Sequence, residues 1–337
     1  MSSSGLLRKI LAIAALAAVL SVLFCPACSE SSPAGDVTGQ GTESGNDTEV
    51  NEATDTGAEE TLAPDSGADT GTGDGPAEEL EIKPDPPVFT PDKIVMPKSL
   101  EADFFTASDG TELPYRLYIP ENYSEEYAYP VFVFLHGSGV QGTDNEGQLA
   151  FATGFFIPKT LPTYQSIIII PQCPYEDGWV DVDPWTCDSY SIDEVPIAPG
   201  LQAVMELIDY INGKYSTNPG RQYITGMSMG GYGTWDLILR YPDKFTAAVP
   251  LCGAGDPTYG FRLKDMALRV YHDADDGAVP VAGSRKMVEA VREAGGENVV
   301  YIETTGRGHN VWDLAYRDEE MYEWLFSQRK YPAASAS

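Results

Sequence analysis

Ser228 sits in Gly226-Met227-Ser228-Met229-Gly230. A serine between two glycines at this spacing suits a sharp turn from a strand into a helix, with its hydroxyl pushed clear of both elements. The helix N-terminus beneath it favours developing negative charge. A serine hydroxyl is a poor nucleophile without a base. The chain has three histidines, so the candidates compare directly. His309 lies in Gly306-Arg307-Gly308-His309-Asn310, after the last expected strand, and is the candidate general base. His136, in His136-Gly137-Ser138-Gly139, follows an apolar run and marks an oxyanion loop, where backbone N–H groups point into a site. His272 ends another expected strand. A satisfied structural role suits His136 and His272 better than it suits His309. The acid belongs between serine and histidine in chain order. Asp276 is favoured, Asp275 is second, and Asp273 is third because it sits too close to the strand end. Such a carboxylate would hold the imidazole tautomer and stabilise the imidazolium. The chemistry of this constellation is acyl transfer through a covalent serine intermediate.

These residues need a scaffold that brings loop ends together. Leu113–Ile119 alternates like a strand. Val131–Leu135 and Ser166–Ile170 are continuous apolar runs that suit strands buried on both faces. Tyr223–Thr225, Thr246–Pro250, Ala267–Tyr271 and Asn298–Glu303 continue the series. Helical periods fall between them: Leu201, Val204, Met205, Ile208 and Ile211 share one face, as do Trp235, Ile238 and Leu239, and then Met287, Val288 and Val291. Asp318–Arg329 is a further expected helix. Strands alternating with helices predict an α/β fold, a mostly parallel twisted sheet with helices on both faces, in one domain over 88–337.

Several segments occur in a familiar order: Leu135-His136-Gly137-Ser138-Gly139, Pro171-Gln172-Cys173-Pro174, Thr225–Gly233 with Thr234-Trp235-Asp236, Val249-Pro250-Leu251-Cys252-Gly253, and Gly308-His309-Asn310-Val311-Trp312. Together they resemble the α/β-hydrolase esterases grouped with polyhydroxybutyrate depolymerases, feruloyl and acetylxylan esterases and the prolyl-oligopeptidase catalytic domain. The resemblance covers about residues 100–330. It implies Ser228 as nucleophile, His309 as base and Asp276 as acid. It also implies an oxyanion hole from the Met229 N–H and one N–H in Ser138-Gly139. Two positions depart from the pattern. Asp273 stands where the family usually has Gly, which touches the choice of acid. Val140-Gln141 stand where a Glu-Arg pair is frequent, which touches the site rim. The activity implied is serine hydrolysis of carboxylic esters, small or polysaccharide-linked. The competing readings are a prolyl-oligopeptidase-like serine peptidase and a non-catalytic surface binding protein on the same scaffold. Large peptidases of this group carry a long N-terminal propeller, which residues 30–86 do not supply. The chemistry needs no metal or cofactor, and three histidines present no recognisable zinc site.

The loop from Cys173 to Pro199 is long and aromatic, with Tyr175, Trp179, Trp185 and Tyr190. It leaves a strand end, where ligands bind in open sheets. Trp179, Trp185 and Trp312 are candidate substrate-binding residues able to stack on a sugar or an aryl acyl group. Core packing of the loop is the alternative. Cys173 and Cys187 are candidate disulfide partners if the protein is exported, the alternative being that Cys173 belongs to its motif without a partner. Cys252 follows an apolar strand and reads as a buried free thiol.

The 337 residues hold 51 acids against 21 bases, a formal net charge of −30. Nothing basic could neutralise phosphates, so nucleic acid is excluded as a partner. The charge is uneven: Glu30 to Pro86 carries sixteen acids and one base, Lys83. Ahead of it, Arg8 and Lys9 precede an apolar run, Ile10 to Phe24. That run is too short to span a bilayer comfortably and reads as a signal peptide. It ends in Cys25-Pro26-Ala27-Cys28-Ser29, which resembles a bacterial lipoprotein signal with Cys28 as the lipidated residue. Cys25 fits that role less well. The expected organisation is therefore a signal and lipidation segment over 1–28, a disordered acidic linker over 29–87, and a catalytic domain over 88–337. Residues of the linker cannot bury enough apolar area to repay ordering entropy. The expected location is exported, held on a membrane by the N-terminal lipid.

Overall fold

The computed structural model describes residues 83–87, 100–155, 163–174 and 178–330. The expected signal segment, Cys25, Cys28, most of the acidic linker and Tyr175 lie outside the described residues. A compact unit runs over Leu80–Ser337.

Its centre is an eight-stranded sheet of order β1-β2-β4-β3-β5-β6-β7-β8. The strands are β1 (Glu101–Thr106), β2 (Glu112–Tyr118), β3 (Tyr129–Leu135), β4 (Ile167–Pro171), β5 (Thr217–Met227), β6 (Ala247–Leu251), β7 (Ala267–Asp273) and β8 (Val299–Thr304). β1 and β2 pair antiparallel, and β2 runs antiparallel to β4. Every pairing from β4 through β8 is parallel. The helices are α1 (Leu149–Phe155), α2 (Pro199–Lys214), α3 (Met229–Arg240), α4 (Ala282–Glu293), α5 (Trp312–Ala315) and α6 (Glu319–Ser327), with a 3₁₀ helix at Pro257–Leu263.

The continuous apolar runs are buried on both faces, as a strand with helices on each side requires. Val131, Val133, Leu135, Ile167 and Ile169 join one core with Leu201, Val204, Ile208 and Ile211 of α2 and Trp235 and Ile238 of α3. Phe132, Phe134, Ile168 and Ile170, one residue out of phase, join a second core with Met321, Tyr322 and Leu325 of α6. Pro199 opens α2, where its missing N–H costs nothing. Asp318 caps α6 by accepting from Glu320 N–H, and Glu319 and Glu320 complement the positive end of the helix.

Four elements differ from the expectation. β1 is an additional, largely exposed edge strand. α1, α5 and the 3₁₀ helix fill connections expected to be irregular. The folded part also starts before residue 88. The Pro84 carbonyl accepts from Ala128 N–H at 2.9 Å, Asp85 pairs with Arg221 at 3.1 Å and with Arg329, and Lys83 Nζ reaches the Glu125 carbonyl at 2.7 Å. Residues 83–87 are docked rather than solvated because each of their charges has a partner on the domain.

Candidate active site

The parallel strands end together, so the loops leaving β3, β5, β6, β7 and β8 converge at one rim. Ser228 follows the last residue of β5 and is the N-cap of α3. Its backbone lies at φ 56, ψ −121, a conformation costly for a residue with a Cβ. The Ser228 N–H donates to Leu251 O at 3.0 Å, and its carbonyl accepts from Gly231 and Tyr232 N–H at 2.7 and 3.1 Å. Those bonds hold the strained turn. The flanking glycines are needed for close approach rather than for a positive φ. A Cβ on Gly226 would lie 2.2 Å from Gly230 O, and one on Gly230 would lie 2.0 Å from Leu135 O.

His309 Nε2 lies 2.9 Å from Ser228 Oγ, and its Nδ1 lies 2.7 Å from Asp276 Oδ2. The other Asp276 oxygen accepts from Ala278 and Val279 N–H at 2.8 and 2.9 Å. Burial works against the charge of Asp276, but hydrogen bonds from His272 and His309 and from the Val279 N–H outweigh it. They hold this carboxyl well below the usual carboxylate range. Of the three candidate acids, Asp276 is the one that meets His309. Asp273 instead accepts from Thr304 Oγ1 and from Arg307 and Gly308 N–H, and Asp275 accepts from Gly306 N–H. Both shape the loop that carries His309. Asp273, where the family pattern has Gly, thus organises that loop and does not meet His309.

His136 is buried, and burial pushes its pKa down to about 4. Nδ1 faces the Gly137 carbonyl at 2.7 Å, so Nδ1 carries the hydrogen, and Nε2 accepts from Cys173 N–H at 2.9 Å. A neutral imidazole therefore ties the loop after β3 to the end of β4. Gln172 adds to the tie. Its Nε2 donates to Val140 O at 3.1 Å and Asp144 Oδ1 at 2.8 Å, and its Oε1 accepts from Asn145 N–H at 2.7 Å. The Pro-Gln-Cys-Pro segment was visible in the sequence, but this strapping role was not.

The Met229 N–H is in the first turn of α3, where no intrahelical acceptor exists. It directly follows Ser228, the position expected of an oxyanion donor. In the loop after β3, the Gly139 N–H donates to Gln141 Oε1 at 2.5 Å. Among the described residues Ser138 N–H has no such acceptor, so Ser138 rather than Gly139 is the available second donor. The Gln141 amide also reaches Met229 Sδ at 3.5 Å, which places this departure from the family pattern at the rim.

The three candidate tryptophans separate. Trp312 stands edge-on to His309 at 5.1 Å between ring centroids, and Trp185 is 6.4 Å from it. Trp185 is 49% exposed. Trp179 is 0% exposed and does not line the cleft. Its Nε1 donates to His136 O at 2.9 Å, and its Cβ packs where a side chain on Gly233 would have to go. An indole with its N–H satisfied by backbone belongs to the core. The disulfide expectation is also corrected. Cys187 carries a free thiol that donates to Ser189 O at 3.1 Å, so it is not bonded to the buried Cys173. Cys252 is buried and free. Its Sγ with Asp276 and His309 places three ligand atoms within 4.8 Å of one another. Burial, and then the charge of Asp276, push that thiol well above its ordinary pKa.

Residues 106–314 match the Esterase family model, and the chain belongs to that family. Its fold is the α/β-hydrolase fold. A solved thermostable esterase is 33% identical, with a TM-score of 0.59 over 68% of this chain and 63% of that one. Poly(3-hydroxyalkanoate) depolymerase C of Paucimonas lemoignei is 33% identical over 51 residues, 15% of this chain and 12% of its own. Acetylxylan esterase A of Emericella nidulans is 24% identical over 143 residues, 42% of this chain and 43% of its own. The chain thus spans less than half the length of these two relatives.

Proposed function

We propose that this chain is a serine esterase that opens carboxylic esters through an acyl-enzyme on Ser228. The observation that carries the reading is the continuous line from Asp276 through His309 to Ser228, at 2.7 and 2.9 Å. His309 Nε2 takes the Ser228 hydrogen as Oγ attacks the ester carbonyl carbon. The carbonyl electrons move onto oxygen, which the Met229 and Ser138 N–H groups receive at the α3 N-terminus. Such donors are worth about 3–4 kcal/mol each in the transition state. Asp276 holds Nδ1–H and stabilises the imidazolium. Collapse of the tetrahedral species expels the alcohol with the proton from His309. Water then attacks the acyl-enzyme by the same route, releasing the carboxylic acid and restoring Ser228.

Trp185 and Trp312 flank His309 and suit a flat acyl or sugar group. The names of the relatives, a polyester depolymerase and an acetylxylan esterase, support small or polysaccharide-linked esters as the substrate class. The reading includes export and anchoring through a lipid on Cys28, supported by the basic and apolar N-terminal pattern. The test of the catalytic reading is p-nitrophenyl acetate hydrolysis by the wild type and by Ser228→Ala. Loss of turnover in a folded variant is expected, and full retention overturns the nucleophile assignment. For the anchor, radiolabelled palmitate should enter the wild type and not Cys28→Ala; equal labelling of both rejects it.

A further inference from the structure

One histidine has no part in the reaction as written, yet it touches the triad acid. His272 is fully buried in β7. Its Nε2 lies 3.3 Å from Asp276 Oδ2 and 3.2 Å from Val279 O. Both of those oxygens only accept, so Nε2 carries a hydrogen. With the hydrogen on Nε2, Nδ1 accepts the single Ser284 Oγ hydrogen across 2.8 Å from α4, and Gly253 O lies 3.1 Å from the same Oγ. The imidazole is therefore fixed at both ends. Asp276 Oδ2 accepts from two imidazoles, His309 at 2.7 Å and His272 at 3.3 Å, while Oδ1 is filled by two backbone N–H groups. The carboxylate side chain is itself fully buried, so no solvent competes for it.

We propose that His272 is a positioning residue for the acid–base pair: it holds the Asp276 carboxylate from a second side and takes a share of the charge that would otherwise fall on His309. The proposal rests on the triad reading above. The line that matters for proton transfer is then longer than three residues, running Ser284, His272, Asp276, His309, Ser228. The other titratable groups around His272 are few. Glu303 of β8 is its register partner and is paired with Arg285 of α4; Asp273 ends its own strand and Asp275 lies in the loop that follows; Cys252 leaves β6. Asp276 is the acid that its Nε2 meets directly.

The sign of the effect follows. Removing the Nε2–H returns carboxylate charge to His309, which favours imidazolium and moves the acid limb of kcat/KM to higher pH. The experiment is the pH profile of p-nitrophenyl acetate hydrolysis for wild type, His272→Leu, His272→Gln and Ser284→Ala, with folding followed by circular dichroism. For His272→Leu the limb should rise by about half to one pH unit, with kcat down about tenfold and KM little changed. His272→Gln keeps an amide N–H and should recover most of both. Ser284→Ala frees the far end of the ring and should move the limb the same way by less. A limb that stays in place, or moves to lower pH, in folded His272→Leu overturns the proposal. If His272→Leu does not fold, the Gln and Ser284→Ala profiles decide: an unmoved limb in Ser284→Ala overturns it. Fluorophosphonate labelling of the wild type separates the two layers. A wild type that neither labels nor turns over overturns the triad reading and this proposal with it. A labelled, active wild type with an unmoved limb in folded His272→Leu, or in Ser284→Ala where the Leu variant does not fold, overturns this proposal alone.

Discussion

The indole Nε1 of Trp179 donates to the carbonyl oxygen of His136 at 2.9 Å, with the two rings 5.3 Å apart. That bond fastens the long loop after β4 to the loop that carries the Ser138 N–H. It makes Trp179 a support of the loop after β3, while Trp185, on the same long loop, is left facing outward beside His309. The two should respond differently to truncation. Trp179→Ala should cost about 3–5 kcal/mol of stability, as large-to-small core changes do, and lower Tm visibly in a thermal melt. Trp185→Ala should leave Tm within a degree or two and raise KM for aryl esters with little change in kcat. An unaltered melt for Trp179→Ala contradicts the core assignment.

The elbow depends on bare backbone. A methyl at Gly230 would sit 2.0 Å from Leu135 O, so either α3 or the end of β3 must move. Because misplacing reacting groups by about 1 Å can cost about 100-fold, Gly230→Ala should lose at least that factor in kcat/KM. It should also melt earlier than wild type. Steady-state kinetics beside a melt checks both.

Only one of the neighbouring acids touches the base. Asp276→Asn would put an amide where Nδ1 needs an acceptor, and a loss near 10⁴ in kcat is expected by analogy with other triads. Asp275→Asn removes a loop contact to Gly306 N–H and should cost less than tenfold. Parallel kcat measurements decide; a larger loss at Asp275 contradicts the assignment.

Glu303 offers a test by pH. The Arg285 guanidinium, against a smaller opposing effect of burial and with help from Tyr301, holds its carboxyl down to about 2. A depressed folded-state pKa gives stability that is present above the ordinary glutamate value and lost as pH falls through the folded value. Glu303→Gln should therefore melt below wild type at neutral pH, with the gap closing as pH falls from about 4.5 towards 2. A gap that widens on acidification contradicts the pairing.

Much of this was legible in the sequence because it is written in composition. Val131–Leu135 and Ser166–Ile170 are apolar without interruption, which only a strand covered on both faces explains. Ser228, His309 and the Asp273–Asp276 cluster stand at strand ends in the order the chemistry needs. The rest depends on side-chain direction. The Cys173–Pro199 loop has no period, so nothing in the residue types separates the buried Trp179 from the exposed Trp185. Spacing likewise cannot show that the Cys187 thiol turns to Ser189 O. β1 escaped notice because an exposed edge strand has no apolar alternation to display. His272 looked like a satisfied core histidine, and it is one; that its partner is Asp276 is set by three-dimensional packing.

In the proposed mechanism His309 activates Ser228. The most direct measurement is covalent labelling with a fluorophosphonate, followed by peptide mass spectrometry, on wild type, Ser228→Ala and His309→Ala. A single phosphonyl adduct on the peptide containing Ser228 is predicted in the wild type. It should be absent in Ser228→Ala and strongly slowed in His309→Ala. An adduct on another residue, or undiminished labelling without His309, would contradict the account.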